Sequence, residues 1–297
     1  MEHYTHCTLC PRQCGVNRAA GERGFCGAPG HLVAARASLH PWEEPCLMGQ
    51  KGSGTVFFSY CTLRCGFCQN HHISTGDAGK EISVQRLSQI FLELQQQGAQ
   101  NINLVTPTHY VPHIIEALTL AKSQGLSLPI LYNTSGYERV ETLRQLDGLI
   151  DIYLPDFKYY SHILSMKYSK AKNYREIATA ALEEMVRQVG QAQLDDQGQM
   201  TRGVIVRHLV LPDQVEDSKR VLRHLFAHFG NTIYYSIMNQ YTPLPQAPFP
   251  ELARRVTEEE YDQVVEQAAE LGILHGFLQE GEAASESFIP EFDERGL

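Results

Sequence analysis

The chain has 297 residues, enough for one large α/β barrel or for two smaller domains. Apolar residues make up 43% and charged residues 20%, a balance that supports a sizeable core and excludes a disordered chain. The net charge of −9 argues against a broad basic surface, so we expect no nucleic-acid partner. The sequence contains no apolar stretch near the ~20 residues of a membrane span and no basic, apolar leader at its start. We therefore expect a cytoplasmic protein without a membrane partner.

The first 54 residues differ from the rest in composition. They hold five of the eight cysteines and many Gly, Pro and Arg residues, with no sustained helical period. A segment this short cannot bury enough apolar surface by itself. We predict a loop-rich, metal-bound extension in residues 1–54, a main domain in residues 55–273 and a tail in residues 274–297. The tail pattern predicts a short strand and an acidic loop.

From residue 55 onward, short apolar runs alternate with longer amphipathic ones. Runs of β-branched and aromatic residues predict strands near 55–60, 102–105, 128–132, 151–154, 203–210 and 232–238. Helical periodicity predicts helices near 84–97, 110–124, 138–147, 173–191, 215–229 and 257–271. Six strands that are each followed by a helix imply a parallel sheet. We predict an α/β fold, and we favour a partial (βα)6 TIM-like barrel over a doubly wound sheet.

Three cysteines follow the first predicted strand. The segment SYCTLRCGFCQN places Cys61, Cys65 and Cys68 in a C-x3-C-x2-C pattern, at the strand end where parallel sheets and barrels build their sites. Clustered cysteines in a chain expected in the reducing cytosol favour metal ligation over disulfides. Iron–sulfur clusters usually take four cysteines. A loop that offers only three predicts a 4Fe–4S cluster with one iron open to a chelating ligand from outside the chain.

Two alternatives stay open for this trio. The cysteines could be structural or hold zinc, or Cys46 could supply a fourth ligand to a closed electron-transfer cluster. Either alternative would make the chain a non-catalytic iron–sulfur or zinc protein that acts as an electron carrier or scaffold.

The trio, together with Phe67 just before its last cysteine, resembles the signature of the radical S-adenosylmethionine (radical SAM) superfamily. The runs GSGTVFFSYCTLRCGFCQNHHIS, NINLVTPTHY and CTLCPRQCGVNRAAGERGFCG resemble pyruvate formate-lyase activating-enzyme homologues with a cysteine-rich N-terminus. This resemblance covers essentially the whole chain. It implies that the open iron chelates SAM and that an electron from the cluster cleaves SAM to methionine and a 5′-deoxyadenosyl radical. The cofactor supplies this chemistry and the protein positions it.

The same resemblance implies partners. The radical would abstract hydrogen from a protein or small-molecule substrate, and a glycine of a glycyl radical enzyme is the substrate that the branch name suggests. A one-electron donor such as flavodoxin or ferredoxin would reduce the cluster.

The resemblance also suggests which residues contact SAM. The family commonly has a Gly-Gly-Glu-like segment after the second strand, and residues 105–108 replace it here, so that Thr106, Thr108 or main-chain carbonyls would take its role. The other candidates precede the last cysteine of the trio or lie at later strand ends: Phe67, Asn133, Ser135, Lys158, Arg207, His208, Met238 and Asn239.

A second cysteine set lies near the start of the chain. Cys7, Cys10, Cys14 and Cys26 have C-x2-C-x3-C-x11-C spacing. Four soft ligands in a small segment fit a closed, structural zinc site, which we slightly favour, and equally fit an auxiliary 4Fe–4S cluster.

Overall fold

The fold is built on one large sheet. The computed structural model describes residues 2–244, 248–279 and 290–297. The strands of these residues are β1 (Leu32–His40), β2 (Ser53–Phe58), β3 (Lys80–Ile82), β4 (Ile102–Val105), β5 (Ile130–Thr134), β6 (Ile152–Pro155), β7 (Gln193–Leu194), β8 (Met200–Leu209), β9 (Tyr234–Met238) and β10 (Gly276–Leu278).

Helices connect most of the strands. They are α1 (Glu2–Thr5), α2 (Pro45–Met48), α3 (His71–Thr75), α4 (Val84–Gln97), α5 (Val111–Ser123), α6 (Val140–Leu143), α7 (His162–Ser169), α8 (Tyr174–Val189), α9 (Val215–Phe229) and α10 (Glu258–Leu271). Short 3-10 turns lie at Arg18–Ala20, Thr108–Tyr110, Arg144–Leu146 and Pro250–Leu252. Within the described ranges, we find no helix with the length and apolar character needed to cross a bilayer.

The strand order confirms the predicted α/β architecture. Along the sheet the order is β10-β9-β8-β6-β5-β4-β2-β1-β3, with β7 paired to β8. The neighbours from β2 to β10 in this order are parallel, whereas β1 pairs antiparallel with β2 and with β3 at one edge. All six residues of β2 are buried, as expected for a parallel strand that is covered on both faces. The sheet is open between β3 and β10, like a partial barrel.

The six predicted strand–helix units are all present. The helix expected near residues 138–147 is the short α6 followed by the turn Arg144–Leu146. Two helices show their sequence signals directly. Gly98 ends α4 with φ 88°, a left-handed conformation that favours glycine, and Thr257 begins α10 with a capping box to Glu260.

Strand β1 lies within residues 1–54, which we expected to be loop-rich. Its sequence contains three alanines and has weak strand propensity, yet it pairs with β2 over most of its length, for example Ala37 opposite Val56. The segment after β10 returns to this edge, because Ala37 N donates to the Arg295 carbonyl at 2.8 Å. The short strand expected in the tail is β10, and the acidic loop expected near residues 280–289 lies outside the described residues. The division into three domains stays a prediction.

The chain between β1 and β2 fills one end of the sheet interior. In α2, Cys46 and Leu47 are buried in an apolar cluster of their own with residues of β5, β6 and β8: Leu131, Ile152, Leu154, Met200 and Ile205. Residues two apart on a strand share a face, so Leu131 lies on the same face as Asn133 near the other end of β5. The cluster therefore closes the amino-terminal end of the interior and leaves the carboxyl-terminal end free for a site.

Arg12 is one of the residues that join the N-terminal extension to the barrel. Arg12 Nη2 donates to the Ser169 carbonyl at 2.8 Å and its Nε donates to the Thr62 carbonyl at 3.2 Å. The Lys170 carbonyl accepts a further hydrogen bond from Nη1. The guanidinium carbon also lies 3.7 Å from the centre of the Phe25 ring. Arg12 thus joins three parts of the chain that are far apart in sequence.

We predict that Arg12→Ala lowers the free energy of unfolding by about 2 kcal/mol, because charged hydrogen bonds to carbonyls are lost and the carbonyls lose their donor. The urea midpoint of anaerobically purified protein measures the effect. Arg23→Ala is the matched control, since exposed Arg23 makes one 3.3 Å hydrogen bond to Gly27 within its own segment. Equal midpoints for the two variants would contradict the assigned role of Arg12.

Candidate functional site

A cavity opens at the carboxyl ends of the parallel strands. Its empty volume is about 1360 Å³, including the part that is open to solvent. The loops and ends of β2, β4, β5, β6, β8 and β9 line it, and the three cysteines of the predicted cluster loop are among the lining residues. The topology thus brings together residues that lie more than 170 positions apart in the sequence.

The cysteine loop turns sharply after β2. Tyr60 has φ 73° and Arg64 has φ 53°, conformations that non-glycine residues rarely adopt. The Tyr60 ring occupies the space where a side chain at Gly76 would lie, since a Cβ there would be 2.1 Å from the ring. Backbone strain of this kind is often found at functional sites, where the surroundings enforce it.

Neighbouring elements hold the loop in place. Gly66 N donates to the Tyr168 carbonyl at 2.8 Å, and Ser169 Oγ donates to Cys65 Sγ at 3.1 Å. Phe67 is buried and makes edge-on ring contacts with Tyr159, Tyr168 and Tyr241. The loop is therefore fixed by α7 and by an aromatic cluster beneath the last cysteine.

The thiols fit an iron–sulfur cluster. Cys61, Cys65 and Cys68 line the same cavity, and burial, together with the neighbouring thiols, raises the pKa of Cys61 to about 11 and that of Cys68 to about 12. Buried thiols of this kind become thiolates when a cation binds them. Among the described residues, no three His, Cys, Asp or Glu side chains converge on a single ion. A cluster does not require such convergence, because each cysteine ligates a different iron.

Cys46 is absent from the residues that line the cavity. Its side chain is buried in the apolar cluster at the opposite end of the sheet interior. This position favours the interpretation that the cavity cluster has three cysteine ligands, and it gives no support to the closed cluster with Cys46 as fourth ligand.

Most of the residues predicted to contact SAM lie in the cavity. Seven of the ten line it: Phe67, Thr106, Asn133, Ser135, Lys158, Arg207 and Met238. Thr106 has φ 58°, unusual for a β-branched residue, and its N donates to the Asn133 carbonyl at 2.9 Å. The strained residue thus stands where the family commonly has its Gly-Gly-Glu-like segment.

The other three candidates do not line the cavity. Thr108 lies in the turn after β4 and donates from Oγ1 to buried Glu138 at 2.5 Å. His208 follows Arg207 on β8 and therefore points to the opposite face, where its Nδ1 pairs with the Phe157 carbonyl at 2.7 Å. Asn239 follows Met238, and its backbone N donates to Gln279 Oε1 at 2.9 Å. Strand alternation and turn geometry therefore direct these three side chains away from the cavity.

A buried ion-pair network forms one side of the cavity. Asp156 accepts from Lys158 Nζ at 2.7 Å and from Arg207 Nε at 3.2 Å, and Arg207 Nη2 donates to Asn133 Oδ1 at 2.7 Å. Burial favours neutral Asp156, but Lys158 and Arg207 outweigh it and lower its pKa. Burial likewise opposes the charge of Lys158, yet Asp156 and the Cys65 thiol raise its pKa. The cavity thus keeps a positive charge beside the cysteine loop at neutral pH.

One wall of the cavity was not predicted from the sequence. His40, Trp42 and Glu43 line it, although they lie in the segment that we predicted to be a loop-rich metal-binding extension. Burial raises the pKa of Glu43 to about 7, and the opposing effect of Arg207 is smaller. Burial, together with Arg36, lowers the pKa of His40 to about 4, so this imidazole is neutral. A correct prediction of β1 would have indicated this wall, because the segment directly follows the strand.

The N-terminal cysteines lie in a separate small site. Cys7, Cys10 and Cys26 are buried, whereas Cys14 is exposed. Donors point at three of the four sulfurs: Phe25 N lies 3.3 Å from Cys14 Sγ, Ala28 N 3.4 Å from Cys26 Sγ and Arg18 Nη1 3.6 Å from Cys7 Sγ. Such donors commonly surround metal-bound thiolates. The segment therefore fits a metal or cluster. Because no three of the described side chains converge on a single ion, the geometry favours an iron–sulfur cluster over the zinc site that we slightly favoured from the sequence.

Comparisons with known proteins give relatives of two kinds. An uncharacterized protein of Methanocaldococcus jannaschii is 29% identical over 276 residues, which cover 89% of this chain and 75% of that protein. Among solved structures, HydG, a maturase of FeFe-hydrogenase, is 14% identical with a TM-score of 0.50 over 75% of this chain. SuiB of Streptococcus suis, solved with bound S-adenosylmethionine, is 12% identical with a TM-score of 0.52 over 77% of this chain.

The two structural relatives are longer proteins, and this chain spans 50% of the length of each. At these identities they show a shared fold alone. The sequence model of the radical SAM superfamily matches residues 55–225, more than half of the chain and the part that holds the cysteine trio. On this match, and with the parallel sheet and the three cavity thiols described above, the chain belongs to the radical SAM superfamily.

Proposed function

We propose that this chain is an enzyme that cleaves SAM reductively and uses the radical formed to take hydrogen from a substrate in the cavity. The observation that carries the proposal is the position of Cys61, Cys65 and Cys68 on one wall of a solvent-open cavity at the carboxyl ends of the parallel strands. Membership of the superfamily implies a 4Fe–4S cluster and SAM. The three thiols are the soft donors that such a cluster needs.

When bound, the cluster and SAM together supply one electron and a carbon–sulfur bond whose cleavage leaves methionine and a 5′-deoxyadenosyl radical. The chain's own residues position these groups. The aromatic cluster around Phe67 and the Ser169 hydroxyl hold the cysteine loop. The Lys158 ammonium is placed to pair with the SAM carboxylate, since it lies in the cavity near the thiols of Cys65 and Cys68.

Polar groups opposite the cluster loop can bind the rest of SAM. Thr106 offers a hydroxyl and a carbonyl at the end of β4, while Asn133 and Ser135 offer short polar groups at the end of β5. Met238 lies at the end of β9, where an adenine ring could pack against its thioether. These four assignments are part of the proposal.

Activation of a glycyl radical enzyme is the finer function that the resemblance suggests. It requires a cavity that admits a glycine loop of another protein. The cavity is open to solvent, and its described lining residues all lie at position 40 or beyond, so residues 2–39 of the extension do not line it. These features support the finer proposal, and a glycine radical on a co-purified partner, seen by electron paramagnetic resonance, would establish it.

The triple variant Cys61→Ala/Cys65→Ala/Cys68→Ala tests the proposed reaction. After anaerobic reconstitution with iron and sulfide, the unchanged protein should form 5′-deoxyadenosine from SAM and dithionite, whereas the triple variant should form none. The measurement is chromatography of the nucleoside products. Cys46→Ala is the matched control and should retain the activity, because Cys46 packs in the distant apolar cluster. Equal product from the unchanged protein and the triple variant would contradict the proposal, as would complete loss in Cys46→Ala with the fold intact.

The variant Lys158→Met tests the carboxylate partner of SAM. Loss of a buried charged hydrogen bond should raise the KM for SAM at least tenfold, while iron content stays unchanged. Asp156 would still be paired with Arg207 at 3.2 Å, so we expect the fold to persist. Lys167→Met is the control, since Lys167 is half exposed and pairs with Glu251 away from the cavity. An unchanged KM in Lys158→Met would remove Lys158 from the SAM site.

The N-terminal cysteines are proposed as a second metal site. The quadruple variant Cys7→Ser/Cys10→Ser/Cys14→Ser/Cys26→Ser should lose either one zinc or one set of four irons and four sulfides per chain, and retain the iron of the cavity cluster. Metal analysis of anaerobically purified protein identifies which of the two is lost. Identical metal content in the variant and the unchanged protein would show that these cysteines hold no metal.

A further inference from the structure

The wall formed by His40, Trp42 and Glu43 lies outside residues 55–225, the part of the chain that matches the superfamily model. The superfamily model begins at residue 55, whereas this wall directly follows β1. All three side chains line the same cavity as the cysteine trio. Members of the superfamily share the cofactor that performs the chemistry. We therefore expect residues outside the matched region to select the substrate.

Glu43 is a buried carboxylate with few donors. Its side chain is only 7% exposed, and its Oε2 lies 3.6 Å from Arg207 Nη1, beyond hydrogen-bond distance. Its Oε1 accepts one hydrogen bond, from Asn103 Nδ2 at 2.8 Å. An ionised carboxylate offers about four acceptor sites. The stronger hydrogen bonds of Arg207 go to Asp156 and Asn133, which leaves Glu43 able to accept more.

The amide beside Glu43 also has an unused acceptor. Asn103 is fully buried, and within the described part of the chain no donor reaches its Oδ1. A buried acceptor without a donor costs about 1–3 kcal/mol. Asn103 does not line the cavity, so its acceptor is out of reach of a ligand there. Of these two side chains, Glu43 is the one that offers acceptor capacity to an N–H donor in the cavity.

The charge of Glu43 is the least compensated in the cavity. Lys158 and Arg207 both pair closely with Asp156, at 2.7 and 3.2 Å. Glu43 lies 3.6 Å from Arg207, so its carboxylate could accept a further cation. Trp42 and Phe57 add aromatic surface to the same cavity, and aromatic faces attract ammonium groups. A carboxylate beside aromatic rings is the usual chemistry for recognition of an organic cation.

We propose that Glu43, with Trp42 beside it, binds the primary ammonium group of a small-molecule substrate, a substrate class that competes with the glycine loop of a partner protein. The inference rests on the proposed function, because it assigns the substrate class of the same cavity. It places the ammonium on Glu43, at the edge of the network in which Arg207 and Lys158 pair with Asp156, and it leaves Lys158 to pair with the SAM carboxylate.

Binding of n-butylammonium chloride to the anaerobic, cluster-loaded protein tests the inference. Calorimetric titration at constant ionic strength should show saturable binding of n-butylammonium, and 1-butanol, which lacks the charge, should bind at least tenfold more weakly. Glu43→Gln removes the charge with little change in shape and should weaken n-butylammonium binding at least tenfold. Glu44→Gln is the matched control, because Glu44 is the adjacent buried carboxylate and does not line the cavity.

A second variant keeps the test valid if Glu43→Gln does not fold. Trp42 is 54% exposed, so Trp42→Ala should fold normally and weaken n-butylammonium binding about threefold. Equal affinity for 1-butanol and n-butylammonium, unchanged binding in Glu43→Gln, or equal loss in Glu44→Gln would each overturn the ammonium site.

The two proposals can fail separately. If the unchanged protein makes no 5′-deoxyadenosine but binds n-butylammonium through Glu43, the ammonium site stands and the proposed reaction fails. If 5′-deoxyadenosine forms while Glu43→Gln binds n-butylammonium as tightly as the unchanged protein, the reaction stands and the ammonium site fails.

Discussion

The separation of Cys46 from the cysteine trio is the constraint on which an open iron site depends. A closed cluster needs a fourth ligand, and Cys46 is the cysteine nearest to the trio outside the loop itself. Apolar packing against Leu131, Ile152 and Ile205 holds it at the far end of the sheet interior. Moving Cys46 into the cavity would require the apolar cluster to open and would expose its side chains to water. Hydrophobic burial at one end of the sheet thus helps to keep an iron site open at the other.

One short segment contributes to both ends of the interior. The residues between β1 and β2 place Cys46 and Leu47 in the apolar cluster and Glu43 in the cavity. Because β1 is antiparallel, its carboxyl end lies beside the amino end of β2, which accounts for the position of Cys46. The Glu43 side chain reaches from there to within 3.6 Å of Arg207, near the carboxyl end of β8. On the opposite side, Arg12 fastens the N-terminal extension to the carbonyls of the cysteine loop and of the end of α7. Residues 2–39 of the extension therefore support the loop from outside without lining the cavity.

The sequence predicted the repeated units well because their signals are local. The strands of the parallel sheet are buried and apolar, and α4, α9 and α10 have clear amphipathic periods and end signals. Strand β1 was not predicted, because its pairing with β2 stabilises it and its own strand propensity is weak. Strand ends located the cavity, but a strand-end position alone cannot say which of two consecutive side chains faces inward. This ambiguity explains why Arg207 lines the cavity and His208 does not. Glu43 was not predicted to line the cavity, because residues far from it in the sequence form its surroundings.

Titration of the reduced cavity cluster with SAM, followed by electron paramagnetic resonance, tests the open iron site most directly. The N-terminal quadruple Cys→Ser variant is the suitable sample, since any signal then comes from the cluster held by Cys61, Cys65 and Cys68. The spectrum should change with added SAM, and the change should saturate at one SAM per cluster. A spectrum that stays the same at excess SAM would show that no iron is free to bind it, and it would contradict the central claim.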